Sequence, residues 1–465
     1  MSEIGSISQP LRVAIVGAGP AGFYVAEHLF KQKKLNIEVD MYDRLPTPFG
    51  LVRAGVAPDH PKIKSVVKIF DKVASNPGFR FFGFVELGED VTVEDLRNHY
   101  HQIVYTTGAQ TDRSLNIPGI DLIGSHAATT FVAWYNGHPD FRELEFDFSQ
   151  ESAVVIGIGN VAVDVARILC RTTDELAKTD IADYALDALA NSNIREVHML
   201  GRRGPAQGKF THLELKELGE LEDAEPYVLP EEAKLDDLSA STLANASRGT
   251  ARNVELIEQF SLPKQSDKSK KLYIRFLVSP TELVGDETGQ VRALRLGHNE
   301  LYATEAGTLR PRLTDRFEVI PAGLIFRSIG YRGVPVPGVP FDNNWGVILN
   351  EKGRVIDPET KSPRVGEYTA GWIKRGPTGV IGTNKPDAVE TVNLMLDDLN
   401  SDSVLEPSFP GPDAVKKLIM VRQPQFFSYD DWRRVDESEI SRGEALGRPR
   451  LKYTRIDEMI LLKNS

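Results

Sequence analysis

Two glycine-rich turns in the chain have the spacing of dinucleotide-binding turns. The first carries Gly17, Gly19 and Gly22, directly after an apolar run at 13–16 and before a segment with helical spacing. In such a unit the first glycine permits a tight turn, the second lets the backbone approach a pyrophosphate, and the third lets helix and strand pack closely. The N–H groups and dipole of the helix N-terminus also attract phosphates. The next strand-like run, 38–42, ends in Asp43, which can accept hydrogen bonds from ribose hydroxyls.

The second turn carries Gly157, Gly159 and Ala162, after an apolar run at 153–156 and before a helical run at 163–169. The strand predicted next, 196–200, does not end in an acid but leads into Arg202 and Arg203. Guanidinium groups favour the 2′-phosphate of NADP, which a carboxylate would repel. The alternative interpretation is that both arginines are simply solvated at the end of a strand. The preceding strand–turn–helix unit favours the NADP site over this alternative. Helical insertions at 172–190 make the gap between turn and arginines longer than usual.

Two further segments are typical of a flavin site. Four prolines and two glycines in the apolar stretch 46–61 predict a stiff, non-helical loop that could wall a flat ring system. A third turn, 370–384, precedes a predicted helix at 387–396, whose N-terminus would stabilise the negative charge of a reduced flavin. Many flavoproteins have Gly-Asp where this chain has Gly371-Trp372. We therefore expect a carboxylate contact to the ribityl–phosphate region of the flavin to be missing and backbone contacts to replace it.

Strands that alternate with helices predict an α/β fold with parallel sheets. Runs at 103–108 and 324–330 end in glycine, and we interpret them as two crossings between domains. The prediction is two Rossmann-like dinucleotide-binding domains, with the NADP domain (113–325) inserted into a discontinuous FAD domain. The two parts of the FAD domain would be 1–112 and 326–465, the latter with a C-terminal extension. The polar stretch 230–252 is predicted to be a surface excursion of the NADP domain, and 413–420 an outer helix.

Composition excludes several classes of function. The formal net charge of −11 disfavours nucleic-acid binding. The single cysteine, Cys170, cannot form an internal disulfide, a Cys-x-x-Cys redox pair or a Cys-based zinc or iron–sulfur site, so no metal is expected. We expect Cys170 to be a buried, inert thiol. No apolar run reaches the length of a membrane span, and residues 1–10 lack the features of a secretory or transit signal, so the expected location is the cytoplasm.

The segments GPAGFY, PFGLVRAGVAPDHPK, WYNGHP, GNVAVDVARIL, LGRRGP and GWIKRGPTGVIGTN carry a family resemblance. Over nearly its whole length the chain resembles adrenodoxin reductase and its bacterial ferredoxin–NADP⁺ reductase relatives. Asp43 stands where many members have Glu, and Ile158 where a polar residue is common. The resemblance implies FAD contacts at Ala21, Asp43, Leu51, Leu87, Trp372, Gly379, Val380 and Ile381. It implies NADP contacts at Arg113, Gly159, Asn160, Val161, Ala162, Arg202, Arg203 and Glu214, with Gly379 near the nicotinamide.

The implied activity is hydride transfer from NADPH to FAD, followed by one-electron transfers to a ferredoxin or similar small acidic iron–sulfur protein. His60 and Glu214 resemble the polar pair near the flavin–nicotinamide contact, and they either take part in the chemistry or form a buried structural pair. The candidate docking residues for the acidic partner are Lys209, Lys216, Lys374 and Arg375. A monomer is favoured.

Two other functions remain open at this stage. An NADPH-dependent flavin monooxygenase has a similar two-site fold but would react quickly with oxygen and need a substrate pocket. A non-enzymatic NADP-binding or sensing module would not retain flavin tightly.

Overall fold

The computed structural model describes residues 4–244 and 246–464. The termini of the predicted FAD domain (1–3 and 465) and Asn245, within the predicted excursion 230–252, lie outside the described residues. In the described chain, no helix is long and apolar enough to cross a membrane.

The strands, in chain order, are β1 (Leu11–Val16), β2 (Ile37–Asp43), β3 (Phe79–Gly83), β4 (Gln102–Tyr105), β5 (Thr111–Asp112), β6 (Ser125–Ala127), β7 (Ser152–Ile156), β8 (Glu196–Leu200), β9 (Ala224–Tyr227), β10 (Lys270–Arg275), β11 (Val278–Gly285), β12 (Val291–Ala303), β13 (Leu309–Pro321), β14 (Leu324–Arg327), β15 (Tyr331–Arg332), β16 (Phe341–Asp342), β17 (Val347–Ile348), β18 (Asn350–Glu351), β19 (Arg354–Ile356) and β20 (Pro363–Thr369).

The α-helices are α1 (Pro20–Phe30), α2 (Leu51–Ala54), α3 (Pro61–Lys64), α4 (Val67–Ala74), α5 (Val93–Arg97), α6 (Ala128–Tyr135), α7 (Asn160–Cys170), α8 (Thr173–Leu176), α9 (Asp183–Ala190), α10 (His212–Gly219), α11 (Pro230–Ala233), α12 (Asp237–Leu243), α13 (Arg248–Phe260), α14 (Trp372–Arg375), α15 (Asn384–Asn400), α16 (Pro412–Arg422), α17 (Tyr429–Glu444) and α18 (Ile456–Asn464). Short 3₁₀ turns lie at Pro139–Phe141, Pro205–Gln207 and Ile381–Thr383.

The first sheet joins the beginning of the chain to its later part. Its order is β18-β19-β20-β4-β1-β2-β3, and the five strands from β20 to β3 are parallel. Apolar side chains fill both faces, which is why β1 is buried along its whole length. Helices α1 and α15 cover one face, where Phe23 and Val392 belong to the same core. We call this sheet and its helices the first unit.

The second sheet is parallel throughout, in the order β6-β14-β7-β8-β10-β9. Helix α7 packs on it, and Cys170 at the end of α7 is fully buried. Burial raises the pKa of the Cys170 thiol to about 12, so the thiol stays protonated and inert at neutral pH. The antiparallel strands β11-β12-β13 extend from this second unit. The parallel second sheet and the five parallel strands of the first confirm the predicted α/β fold with Rossmann-like domains.

The chain enters and leaves the inserted second unit through two passages, and these passages pair with each other. Strand β5 of the outward passage pairs antiparallel with β15 of the return passage. The predicted boundary between residues 325 and 326 falls inside β14, which pairs with β7 and β6 of the second sheet. We propose the same division into an inserted and a discontinuous domain, with the second boundary placed after β14.

The structure contradicts one of these local predictions and adds helices to two other segments. The loop 46–61 was predicted to be non-helical, but it contains the helical turn α2, which begins after Gly50. The polar stretch 230–252, predicted as a surface excursion without a stated secondary structure, contains α11, α12 and the start of α13, and most of its residues are exposed or half-buried. The tail contains the predicted outer helix as α16, but also α17 and α18, which the sequence pattern did not reveal.

Candidate functional site

The first glycine turn has the geometry of a pyrophosphate cradle. Gly17 has φ of +110°, and a Cβ atom there would lie 2.6 Å from the carbonyl oxygen of Thr106. A Cβ at Gly22 would lie 2.3 Å from the carbonyl oxygen of Gly17, so helix and strand approach too closely for a side chain. At Gly19, by contrast, a Cβ would meet nothing within 4 Å. The open side at Gly19, at the N-terminus of α1, is where a pyrophosphate fits.

The carboxylate of Asp43 is fixed at the side of this turn. Its Oδ2 accepts a hydrogen bond from the backbone N–H of Ala18 (2.9 Å), and its Oδ1 accepts one from Leu45 (3.0 Å). Burial raises the pKa of Asp43 above its usual value, although these two N–H groups act in the opposite direction. Each carboxylate oxygen has lone pairs left, so the predicted ribose contact remains chemically available.

Two other segments converge on the same helix end. Phe49, with φ of +83°, donates its backbone N–H to the carbonyl of Ala18 (2.7 Å). A Cβ at Gly50 would lie 3.0 Å from the Cα of Gly19, so the proline-rich loop rests directly on the glycine turn. On the other side, a Cβ at Gly371 would lie 2.6 Å from the Cβ of Ala21. These three segments surround the N-terminus of α1 as a flavin site requires.

The third turn is folded back on itself. The indole Nε1 of Trp372 donates to the carbonyl of Thr378 (3.2 Å), while Gly379 and Val380 are exposed. Ile381 is half-buried and begins a 3₁₀ turn that leads into α15. Asp387 from α15 accepts a hydrogen bond from the N–H of Gly371. The expected lack of a carboxylate contact to the ribityl–phosphate region of the flavin stays a prediction.

The prediction that Lys374 is a docking residue is wrong. Lys374 is only 8% exposed, and its Nζ binds Glu390 (2.7 Å) and Asp387 (3.2 Å), so it supports α15 instead of facing a partner. Arg375 is half-buried and donates to Asn384 (3.0 Å). Lys209 and Lys216 are exposed, as a docking role requires.

The second glycine turn repeats the geometry of the first. A Cβ at Gly157 would lie 2.2 Å from the carbonyl oxygen of Ser328, whereas a Cβ at Gly159 would meet nothing within 4 Å. The side chain of Asn160 accepts the N–H of Thr211 (2.9 Å), which ties the start of α7 to α10. In the next two positions of α7, Val161 is half-buried and Ala162 is fully buried.

Arg202 and Arg203 follow β8 without an acidic partner. Their carbonyl groups accept hydrogen bonds from Asn299 Nδ2 (2.9 Å) and the N–H of Leu277 (3.1 Å), so the backbone is fixed while the side chains stay free to bind. No carboxylate of the described residues lies within 4.0 Å of either guanidinium. Burial and then the charge of Arg202 lower the pKa of Arg203. Two adjacent cations without a counterion have the charge to bind a phosphate.

His60 contacts an acid that the sequence did not reveal. Its Nε2 lies 2.9 Å from Oε2 of Glu217 but 3.9 Å from Oε2 of the predicted partner, Glu214. Its Nδ1 lies 4.0 Å from Oδ1 of Asp164. His60 belongs to the proline-rich loop of the first unit, and Glu217 to α10 of the second. The contact therefore spans the two units.

Glu214 binds a fully buried arginine instead. Arg167 on α7 donates Nη1 to Glu214 (3.1 Å), Nε to Asp59 (2.7 Å) and Nη2 to Asp164 (2.6 Å). Burial, reinforced by Asp164, raises the pKa of Glu214 despite Arg167. Burial also opposes ionisation of Asp59, but Arg167 and Arg171 outweigh it and hold the pKa of Asp59 below its usual value.

His60, Glu214 and Glu217 place ligand atoms within 4.8 Å of one another, as in some metal sites. The guanidinium of Arg167 lies 3.1 Å from Glu214 and 3.6 Å from Glu217. A divalent cation would have to share these carboxylates with a buried positive charge, which disfavours a metal here.

The remaining predicted contacts are more dispersed. Leu51 is half-buried at the start of α2, and Leu87 is half-buried in a turn paired with Val91. Arg113 is exposed, and its backbone N–H donates to Gly330 (2.9 Å) where the chain returns between the units.

Two parallel sheets, each opening into a glycine turn at a helix N-terminus, define the class of oxidoreductases that bind two nucleotides end to end. The family model described as "Pyridine nucleotide-disulphide oxidoreductase" matches residues 11–203. The NADPH-ferredoxin reductase FprA of Mycobacterium leprae is 45% identical over 453 residues, which cover 96% of this chain and 97% of that protein. The mitochondrial NADPH:adrenodoxin oxidoreductase of Salvelinus fontinalis is 42% identical over 461 residues, covering 97% of this chain and 90% of that one.

A solved structure, Mycobacterium tuberculosis FprA in complex with NADPH, superposes with a TM-score of 0.92 at 43% identity, covering 98% of this chain and all of that one. The chain belongs to the family of NADPH-ferredoxin reductases and adrenodoxin oxidoreductases. The resemblance stated from the sequence is confirmed.

Proposed function

We propose that the chain is an FAD-dependent ferredoxin–NADP⁺ reductase, which takes hydride from NADPH and delivers electrons to a ferredoxin-type iron–sulfur protein. The observation that carries the proposal is the pair of open glycine turns, one in each unit, with the His60–Glu217 contact between the units. Flavin, when bound, accepts two electrons as hydride and releases them one at a time, which matches a one-electron acceptor to NADPH.

The first unit supplies the groups that hold FAD. Gly19 and the N-terminus of α1 receive the pyrophosphate, and Asp43 receives the ribose hydroxyls. The loop that contains Phe49 and Gly50 closes over the glycine turn. Trp372, Gly379, Val380 and Ile381 line the opposite wall, with the N-terminus of α15 behind them.

The second unit supplies the groups that hold NADPH. Gly159 and the start of α7 receive its pyrophosphate, and Arg202 and Arg203 bind the 2′-phosphate in charge-assisted hydrogen bonds. Arg113, between the units, adds a positive charge beside the nucleotide.

Hydride transfer depends on orientation more than on a strong acid or base. His60 Nε2, bound to Glu217, can hold or pass a proton between the units, and Arg167 keeps the surrounding carboxylates in place. We propose that this group sets the distance between the two rings and excludes water from their contact.

The partner must supply the iron–sulfur cluster, because the single buried cysteine of this chain cannot hold one. An acidic ferredoxin would dock on a local basic surface, for which Lys209, Lys216 and Arg375 remain candidates. We propose a monomer that works in the cytoplasm, in line with the single cysteine kept as a thiol.

The proposal is tested with the protein reconstituted with FAD. We expect a tightly held yellow flavin that NADPH bleaches without oxygen, much faster than NADH does. Cytochrome c reduction should then depend on added ferredoxin. A protein that retains no flavin would instead be an NADP-binding module. Rapid oxygen consumption with oxygenated product and no stimulation by ferredoxin would identify a monooxygenase.

A further inference from the structure

The chain segment after α17 crosses from the first unit onto the second. We call residues 448–454 the tail clamp. Arg448 donates Nε to the carbonyl of Thr179 (3.1 Å) and also binds Ile181 and Asp183, all in the second unit. At the far end of the clamp, the hydroxyl of Thr454 accepts a hydrogen bond from Arg142 Nε (2.9 Å). The chain then returns to the first unit, where Met459 of α18 is buried in the core.

The clamp is firmly attached to the first unit as well. Glu439 on α17 is fully buried and binds Arg53 (2.8 Å), Arg450 (3.1 Å) and the backbone N–H of Tyr453 (2.8 Å). Arg53 belongs to α2, in the same proline-rich loop as His60. One buried carboxylate therefore links α17, the clamp and the proline-rich loop.

A second buried carboxylate, Asp180, links three segments of the molecule. It accepts two hydrogen bonds from Nζ of Lys64 (2.6 and 2.8 Å) and lies 3.3 Å from Nζ of Lys452. Lys64 ends α3, the helical turn that begins directly after His60; Asp180 belongs to the second unit; and Lys452 belongs to the tail clamp. Lys452 also donates to the carbonyl of Asn136 (3.1 Å).

The charges at this junction depend on one another. Burial would raise the pKa of Asp180, but Lys452 and Lys64 outweigh it and hold that pKa at about 2. Burial lowers the pKa of Lys452 well below its usual value, against the attraction of Asp180. Buried charges of this kind have few alternative arrangements of comparable energy. The three segments that carry Lys64, Asp180 and Lys452 therefore have one favoured relative position.

We infer that Lys452 is a positioning residue: through Asp180 and Lys64, the tail clamp holds the loop of His60 against the second unit, so that His60 meets Glu217. The β5–β15 ribbon and the contacts of Asp59 with Arg167 and Arg171 also join the two units, and the tail clamp adds the buried contact of Lys452 with Asp180.

The variant Lys452→Met tests the inference, because it removes the ammonium group, keeps the side-chain length and leaves Asp180 paired with Lys64. The first readout is amide hydrogen exchange, which needs no activity. Exchange should become about tenfold faster both in the clamp and at 57–64, and stay unchanged at the first glycine turn. The second readout is flavin reduction by NADPH, which rests on the proposed function and should slow about tenfold. Binding of 2′,5′-ADP, which reports only on the second unit, should be unaffected.

The matched control is Arg455→Ala, one residue beyond the clamp. Arg455 also contacts the second unit, through Glu143 (2.9 Å), but both side chains are largely exposed. This variant should behave as the parent protein in every readout. If Lys452→Met loses FAD on purification, Arg448→Ala is measured instead. This variant removes the hydrogen bonds from the clamp to Thr179 and Ile181 but keeps the charged groups of Lys452, Asp180 and Lys64.

The outcomes separate the two proposals. If exchange increases in the clamp but stays at the parent level at 57–64, Lys452 does not position the loop and the inference is wrong. If both segments loosen while NADPH reduces the flavin at the parent rate, the clamp does not set the geometry of transfer, and the inference fails likewise. If NADPH does not reduce even the parent flavin, the proposed function fails, and hydrogen exchange alone still decides the role of the clamp.

Discussion

The contact between His60 and Glu217 is short, shielded and made across the two units. It is the nearest polar contact of the His60 ring, and Arg167 lies behind it with a guanidinium that binds Asp59, Asp164 and Glu214. Because each member of this group is held by the next, the orientation of the imidazole depends on acids from the other unit. A change at Glu217 should therefore affect transfer between the nucleotides without affecting the binding of either.

We predict that Glu217→Ala slows flavin reduction by NADPH about tenfold, because His60 loses its fixed orientation. Glu217→Gln keeps an oxygen acceptor in the same position and should recover much of the rate. Anaerobic stopped-flow measurement of flavin bleaching gives both values. Glu220→Ala, on the exposed side at the end of α10, is the control. A parent-like rate in Glu217→Ala would leave His60 with a structural role only.

The arginine pair gives a second prediction at this scale. Replacing Arg202 and Arg203 together by Ala should weaken NADPH binding roughly 100-fold or more, since each charge-assisted hydrogen bond contributes about 1.5–3 kcal/mol. NADH binding should change little, because NADH lacks the 2′-phosphate. Titration calorimetry with both nucleotides measures the difference. Arg195→Ala, an exposed arginine just before the same strand, should leave the preference intact; an equal loss for NADH would indicate a disrupted fold instead.

Residues that act through local backbone geometry could be predicted from the sequence. Gly17, Gly19 and Gly159 are recognisable because the spacing of small residues is itself the requirement for a tight turn and an approaching phosphate. Glu217 could not be found in this way, since its role arises from a contact with a loop more than 150 positions away. The prediction that Lys374 takes part in docking is wrong for a related reason. The sequence around this lysine does not reveal that it will be buried against Asp387 and Glu390.

At the scale of elements, the β5–β15 ribbon contains an unusual acid. Asp112 in β5 accepts hydrogen bonds from Thr129 Oγ1 (3.0 Å) and, more weakly, from its N–H (3.4 Å), at the N-terminus of α6. Burial raises the pKa of Asp112 to about 6, although Thr129 acts in the opposite direction. The folded protein thus holds this proton more tightly than the unfolded chain, whose Asp has a pKa of about 3.9. The contribution of Asp112 to stability therefore declines as pH rises from about 4 through 6.

We predict that Asp112→Asn stabilises the protein above pH 7, by about 1–2 kcal/mol after allowance for partial exposure and for the favourable helix N-terminus. The advantage should shrink toward pH 4.5, where the native carboxyl is already protonated when folded. Thermal midpoints of parent and variant between pH 4.5 and 7.5 measure this trend. Asp121→Asn, an exposed acid in the same passage, is the control. A constant difference across the range would show that the carboxyl is ionised throughout.

Whole elements were predictable where one face or both faces are regularly apolar. The strands β1, β7 and β8 are continuous buried runs, and the sequence placed them to within two residues. Helices α17 and α18 were not predicted, because much of what holds this region is polar: Glu439 binds Arg53 and Arg450, and few apolar positions are needed. The helical turn α2 lies among prolines, which usually exclude helix. It begins directly after Phe49 and Gly50, whose positive φ angles allow the chain to turn there.

At the scale of the whole molecule, charge sets a constraint on the partner. The chain carries a net charge of −11, so an acidic ferredoxin is repelled at long range. Productive docking then depends on a local surface on which cations such as Lys209 and Lys216 outweigh the overall charge. The repulsion and the attraction act over different distances, and salt screens them differently.

We predict that the second-order rate constant for ferredoxin reduction passes through a maximum as ionic strength is raised. At about 0.01 M the screening length is about 30 Å, and the overall charges of both proteins oppose encounter. Near about 0.1 M it falls to about 10 Å, which leaves mainly the local attraction, and higher salt weakens that as well. The Lys209→Gln, Lys216→Gln double variant should lower the maximum without changing flavin reduction by NADPH. A rate that only rises with salt, in parent and variant alike, would mean that the partner is held by apolar contacts and that these lysines have no part in docking.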